Sequence, residues 1–209
     1  MWNILIGLCF YDTLRQFGYN FGKDKKITHN MIGFFHIGAC FFLTLCYYLF
    51  QFDIFRIFIV GNTCGYFLND TAKYISFHRY KFSDCVLIYH HIVCTLYLYF
   101  NNYNENSYWL QALVWAELSN LSNKIVYYYI QQNRITGKYE VQLGISKKVQ
   151  VLVYSFIRLF ILSYYTIAEF LYIGLSTTYI LCLPLNIMGY VWAYVIIKKD
   201  MENTKKIMK

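Results

Sequence analysis

Histidine is the side chain best suited to move a proton near neutral pH. This chain sets two of them side by side in an otherwise apolar run, Asp84-Cys85-Val86-Leu87-Ile88-Tyr89-His90-His91-Ile92-Val93-Cys94-Thr95. In hydrocarbon, ionisable groups cost several kcal/mol unless they pair or face a wet cavity, so their presence there points to function. Asp70, Glu117, Lys124, Arg158 and Asn186 also fall inside apolar runs. Together they could supply acyl-transfer chemistry: a base or nucleophile, a carboxylate to orient it, and donors for a developing oxyanion. One of His90 and His91 would be base or transient acyl acceptor, with Asp70 or Glu117 behind it. Arg158, Lys124 or Asn186 would meet oxyanion or phosphate charge, and Thr95 shares the face of His91 four residues on. Adjacent helical residues point about 100° apart, so the two histidines have different surroundings.

Metal chemistry has little support. There is no His-x-x-x-His or His-x-x-His-His pattern, and none of the seven cysteines forms a Cys-x-x-Cys pair. No metal and no resident cofactor is expected. The bland readings are specific too: Asn62, Thr63, Ser119 and Asn120 as interhelical hydrogen-bonding groups, Lys73 as a snorkelling cation, Glu169 as interfacial, and no chemistry from His29 or His78. Two glycosylation-type triplets, Asn69-Asp70-Thr71 and Asn120-Leu121-Ser122, lie within apolar runs and are chance matches.

The elements that must carry these residues follow from composition. The chain has 209 residues, 58% hydrophobic and 14% charged, well below the charge of a soluble domain. Apolar runs near 31–51, 54–76, 84–100, 108–130, 149–173 and 177–197 approach the ~20 residues that span hydrocarbon. Long continuous runs without ten-residue alternation favour helices over a barrel. The fold class expected is an all-α polytopic membrane protein with six transmembrane helices around a central cavity. Residues 1–26 form an interfacial segment or a seventh span with a basic flank, 27–200 the membrane domain, and 201–209 a basic tail.

The net charge of +8 does not indicate nucleic acid, because Lys and Arg sit between the runs and form no stripe. The N-terminal flank, 77–83, 131–148 and the segment 198–209 hold three, two, four and five of them, while Arg56 faces the other side. By the positive-inside rule these four segments are cytosolic. Six spans then leave both core flanks in the cytosol, and His90, His91 and Asp70 about 10 Å from that face.

The polar segments, in this order, resemble the TLC-domain superfamily, which includes ceramide synthases. The segments that carry the likeness are Phe34-Phe35-His36-Ile37, Gly65-Tyr66-Phe67-Leu68-Asn69-Asp70, His90-His91-Ile92-Val93-Cys94-Thr95, Phe156-Ile157-Arg158-Leu159 and Leu185-Asn186. The likeness covers about 27–199. It implies a helical barrel around a cavity, an endoplasmic-reticulum membrane, lipids as partners, and acyl-CoA as a co-substrate for transfer to a lipid or amine. Ceramide synthases follow the double histidine with His-Asp-x-x-Asp. Here Leu113-Val114-Trp115-Ala116-Glu117-Leu118-Ser119-Asn120 stands instead, and Ala116-Glu117-Leu118-Ser119 resembles the non-ceramide-synthase branch. A non-enzymatic lipid-binding, membrane-regulating or cargo-escort protein is the alternative. A transporter has less support, since no internal repeat is evident.

Overall fold

The computed structural model describes residues 2–20, 25–76, 82–101 and 108–207. Within them every regular element is helical: α1 (Trp2–Asn20), α2 (Lys25–Phe50), α3 (Asp53–Ser76), α4 (Phe82–Asn101), α5 (Trp109–Thr136), α6 (Glu140–Phe156), α7 (Leu162–Ile173) and α8 (Thr177–Ile207). A π-helical turn, Ile157–Ile161, joins α6 to α7 without a break. The chain divides into two compact units, Met1–Leu110 and Gln111–Lys209.

In the first unit α3 packs against α1, α2 and α4. The hairpin from α2 to α3 is tight because Gln51 takes a left-handed backbone (φ 55°) and its N–H donates to Tyr47 O at 2.8 Å, a helix-ending αL arrangement. The sequence leaves residues 1–26 between interfacial and spanning. In the structure α1 lies lengthwise on α3 and runs in the same direction. Asn3 Nδ2 donates to Ile57 O at 3.1 Å near one end, and further along Tyr11 meets Asn62 and Tyr66. Three glycines allow this closeness. A Cβ at Gly7 would overlap the Gly61 carbonyl, one at Gly65 would overlap the Gly7 backbone, and one at Gly61 would lie 2.7 Å from Asn3 O. Gly61 and Gly65 form a small-xxx-small pair, the pattern that lets helix backbones touch.

In the second unit α5 and α6 form a hairpin turned at Gly137, whose φ of 68° lets its N–H reach Asn133 O at 2.8 Å. The segment 131–148, which lies between two of the apolar runs, is helical apart from 137–139. Polar residues such as Gln142, Lys147 and Lys148 remove it from an apolar count, yet Gln and Lys are good helix formers. The same holds for the tail, where α8 continues to Ile207. In that unit α8 packs on α6 and α7. Ser163 Oγ and Tyr190 Oη are 2.6 Å apart, and Asn186 Nδ2 donates to Thr166 Oγ1.

Among the described residues two helical stretches are long and apolar enough to cross a membrane, Ile27–Phe50 and Glu140–Tyr172; Asp84–Phe100 is apolar but shorter.

Candidate functional site

Two layers of polar side chains lie along α3. The first is centred on Asp70, 6% exposed, whose two oxygens face two imidazoles. His29 Nδ1, from the first turns of α2, is 3.5 Å from Oδ1, and His91 Nδ1, from α4, is 3.8 Å from Oδ2. The first is at the limit of a hydrogen bond and the second is an ion-pair distance. Phe67, one turn before Asp70, stacks on the His91 ring at 5.0 Å and 11°. With Nδ1 turned toward the carboxylate, His91 directs Nε2 away from it. At 3.8 Å the carboxylate faces the ring as an ion-pair neighbour and not at hydrogen-bond distance.

His90 has different company. Its ring nitrogens lie 3.7 and 3.8 Å from Cys94 Sγ, one turn on along α4, and it is half-buried. The divergence expected of neighbouring helical residues thus gives His91, not His90, to Asp70. Thr95 uses its hydroxyl within its own helix, donating to His91 O at 2.8 Å.

The second layer sits about two turns along α3. His36 Nδ1 is 3.2 Å from Asn62 Nδ2 and 3.5 Å from Tyr11 Oη, while Tyr11 Oη donates to Asn62 Oδ1. Asn62 donating to Nδ1 places the imidazole proton on Nε2. His36 also stacks on Tyr66 at 4.2 Å and 7°. Tyr11 is fully buried. Tyr66 and Phe67, adjacent on α3, therefore each carry one histidine, from α2 and α4 respectively.

Sequence reasoning set His29 aside as an end residue, and it missed Tyr11. A signal existed for His29: it precedes His36 by seven residues, two helical turns on one face. When α2 folds back on α3, His36 meets Asn62 and His29 meets Asp70. No local signal marks Tyr11, whose position depends on glycines far away in sequence.

Glu117, Lys124, Arg158 and Asn186 belong to the second unit and form contacts of their own there. Arg158 is buried in the π turn, a kind of helix irregularity that recurs at functional positions. Its Nε donates to Ser119 Oγ at 2.9 Å and its Nη2 to Asn120 Oδ1 at 3.1 Å. Asn120 Nδ2 in turn donates to Glu117 Oε2 at 3.5 Å, so one amide links cation and carboxylate. The Arg158 guanidinium lies 5.2 Å from the Tyr154 ring centroid. Gly189 on α8 leaves room for the arginine stem, since a Cβ there would stand 3.1 Å from Arg158 Cδ. Ser119 and Asn120 thus serve as the polar links expected of them, and Asn186 is held by Thr166. Lys124 is half-buried. Glu169, expected at an interface, is 2% exposed.

Among the described residues no group of three His, Cys, Asp or Glu is arranged to hold a metal ion. The geometry offers an oriented imidazole beside a buried carboxylate in one unit, and a hydrogen-bonded guanidinium in the other. No family model, curated protein or solved structure matches the chain.

Proposed function

We propose that this is a polytopic membrane protein of TLC-like type that handles lipids, and that it transfers an acyl group to a lipid or amine. The observation that carries the reaction is the buried Asp70 carboxylate facing Nδ1 of His91. In this reading His91 Nε2 takes the proton from an acceptor hydroxyl or amine as it attacks the carbonyl of an acyl thioester. The new C–O or C–N bond forms, the C–S bond breaks, and the thiol leaves with the proton. Asp70 holds the ring in place and balances the imidazolium. His29, on the other carboxylate oxygen, keeps Asp70 fixed.

The membrane setting is supported by large apolar side chains left exposed on most helices, such as Phe42, Leu45 and Leu49 on α2 and Phe160 and Leu171 further on. Surfaces of that extent are buried by lipid or by partners. The reading has six core spans, with α1 as a seventh beside α3, the basic segments in the cytosol and the endoplasmic reticulum as location. A soluble acyl-CoA would then approach from the cytosolic side.

The test is lipid acylation in microsomes from cells expressing the protein. His91→Ala should lower it about 100-fold or more, the scale of losing a general base, and Asp70→Asn should lower it less. His90→Ala should retain most of it. Equal loss in His90→Ala and His91→Ala, both folded, removes the assigned roles; no loss in either removes the mechanism. One observation favours a second reading: the Leu113-Val114 position lacks the His-Asp of the enzymes it resembles. A lipid that copurifies and never turns over would support a lipid-binding or escort protein.

A further inference from the structure

We propose that the α5–α6 hairpin binds an anionic phospholipid, with one acyl chain in the groove between the two helices and the head group at the basic turn. The inference rests on the membrane reading above but not on the chemistry at His91.

The two helices are joined through side chains, among them Gln150 Nε2 donating to Asn123 Oδ1 at 2.7 Å. Beside these links runs a groove of about 430 Å³, walled by Leu118, Leu121 and Ile125 on one side and Ile145, Val149 and Val153 on the other. That volume lies in the ~300–1,000 Å³ range of small-ligand sites. Tyr129 and Gln142 lie toward its turn end. From Leu118 to Tyr129 the groove is about 16 Å long at 1.5 Å per residue, roughly half of the ~30 Å hydrocarbon core. It is therefore one leaflet deep, the length of an acyl chain.

Charge selects the occupant. Arg134 and Lys138 stand at the turn and Lys147 and Lys148 about two turns into α6 beside the groove, with Glu140 as the acid among them. None of the four basic residues has an ion-pair partner among the described residues, and all but half-buried Lys147 are exposed. Such a cluster at the cytosolic end of a helix pair attracts anionic lipid heads. A phospholipid of the cytosolic leaflet enters in its natural orientation, with head at the basic turn and chain toward the membrane centre. Both ends of the groove are thus satisfied by one molecule.

The full-length protein is extracted in mild detergent and titrated with dioleoylphosphatidylserine or dioleoylphosphatidylcholine, with bound lipid counted by native mass spectrometry. Carbonate extraction of the source membranes is done alongside. The expected result is preference for the serine lipid by at least about tenfold. It should be lost in Lys138→Ala/Lys147→Ala/Lys148→Ala, because each basic residue contributes a several-fold increment. Ile145→Trp, which fills the groove from an exposed position, should lower binding of the serine lipid with all charges intact. Equal binding of both lipids, indifference to both variants, or a second protein copy in place of lipid overturns the inference while the protein stays carbonate-resistant. Release by carbonate overturns the membrane reading and this inference together.

Discussion

At His91 the proposed chemistry depends on which ring nitrogen faces Asp70, and the nitrogen that faces it is Nδ1. Depth and spacing in the sequence were enough to mark Asp70, His90 and His91 as a candidate group. They could not choose between the histidines, because that choice depends on where α3 lies relative to α4. His29 was illegible for a related reason: at the start of a helix it looks like an ordinary interfacial residue until α2 folds onto α3. Arg158 was legible as a buried cation, though its partners are neutral. A guanidinium reaches Ser119 and Asn120 through two separate N–H groups, whereas an ammonium is a single point. Arg158→Lys should therefore lower stability by about 1–3 kcal/mol, the cost of leaving a buried polar partner unmet. Thermal unfolding of the purified variant in detergent measures this, and an unchanged midpoint would mean that the guanidinium links carry no stability.

Among the elements, α1 departs most from what its sequence announces. A nine-residue, mostly apolar stretch followed by Asp12 and Arg15 makes a poor span by composition. Its place is decided by Gly7 against Gly61 and Gly65, a match between residues more than fifty positions apart that no local window contains. Gly65→Leu should dislodge α1 and with it Tyr11, leaving Asn62 and His36 without the phenol. A loss of about 3 kcal/mol or more is expected, as for other severe core overpacking, and it should appear as a lower midpoint and faster proteolysis near residue 20. Gly38→Ala is the contrasting substitution. A Cβ there meets nothing within 4 Å, so the usual helix preference should leave stability equal or raise it by up to about 1 kcal/mol. If both variants behave alike, the close approach of α1 and α3 is not what holds the first unit. The helices themselves were legible from their apolar runs, except where good helix formers are charged, as at the start of α6.

For the whole molecule, the proposed topology expects the α2–α3 turn in the lumen and the α5–α6 turn in the cytosol, by the positive-inside rule. A glycosylation-acceptor loop inserted between Gln51 and Phe52 should be modified in endoplasmic-reticulum microsomes. The same loop inserted between Gly137 and Lys138 should stay unmodified. A gel shift in the second and not the first would reverse the orientation and move the Asp70 layer away from any cytosolic acyl donor. The long helix through α6 and α7 bears on the same architecture. Its π turn takes up one residue more than an α-helical turn would. It therefore works as a phase shifter: Arg158 can meet α5 while Ser163 and Thr166, just beyond, meet α8. Loss of one residue between 157 and 161 would turn it into a regular α turn and keep Ser163 and Thr166 in phase. An alanine inserted between Ile161 and Leu162 would instead rotate everything downstream by about 100°, turning Ser163 and Thr166 off Tyr190 and Asn186. That insertion should leave the helical circular-dichroism signal intact while the unfolding midpoint falls. In this chain the length of one turn sets which helix each half of the rod can hold.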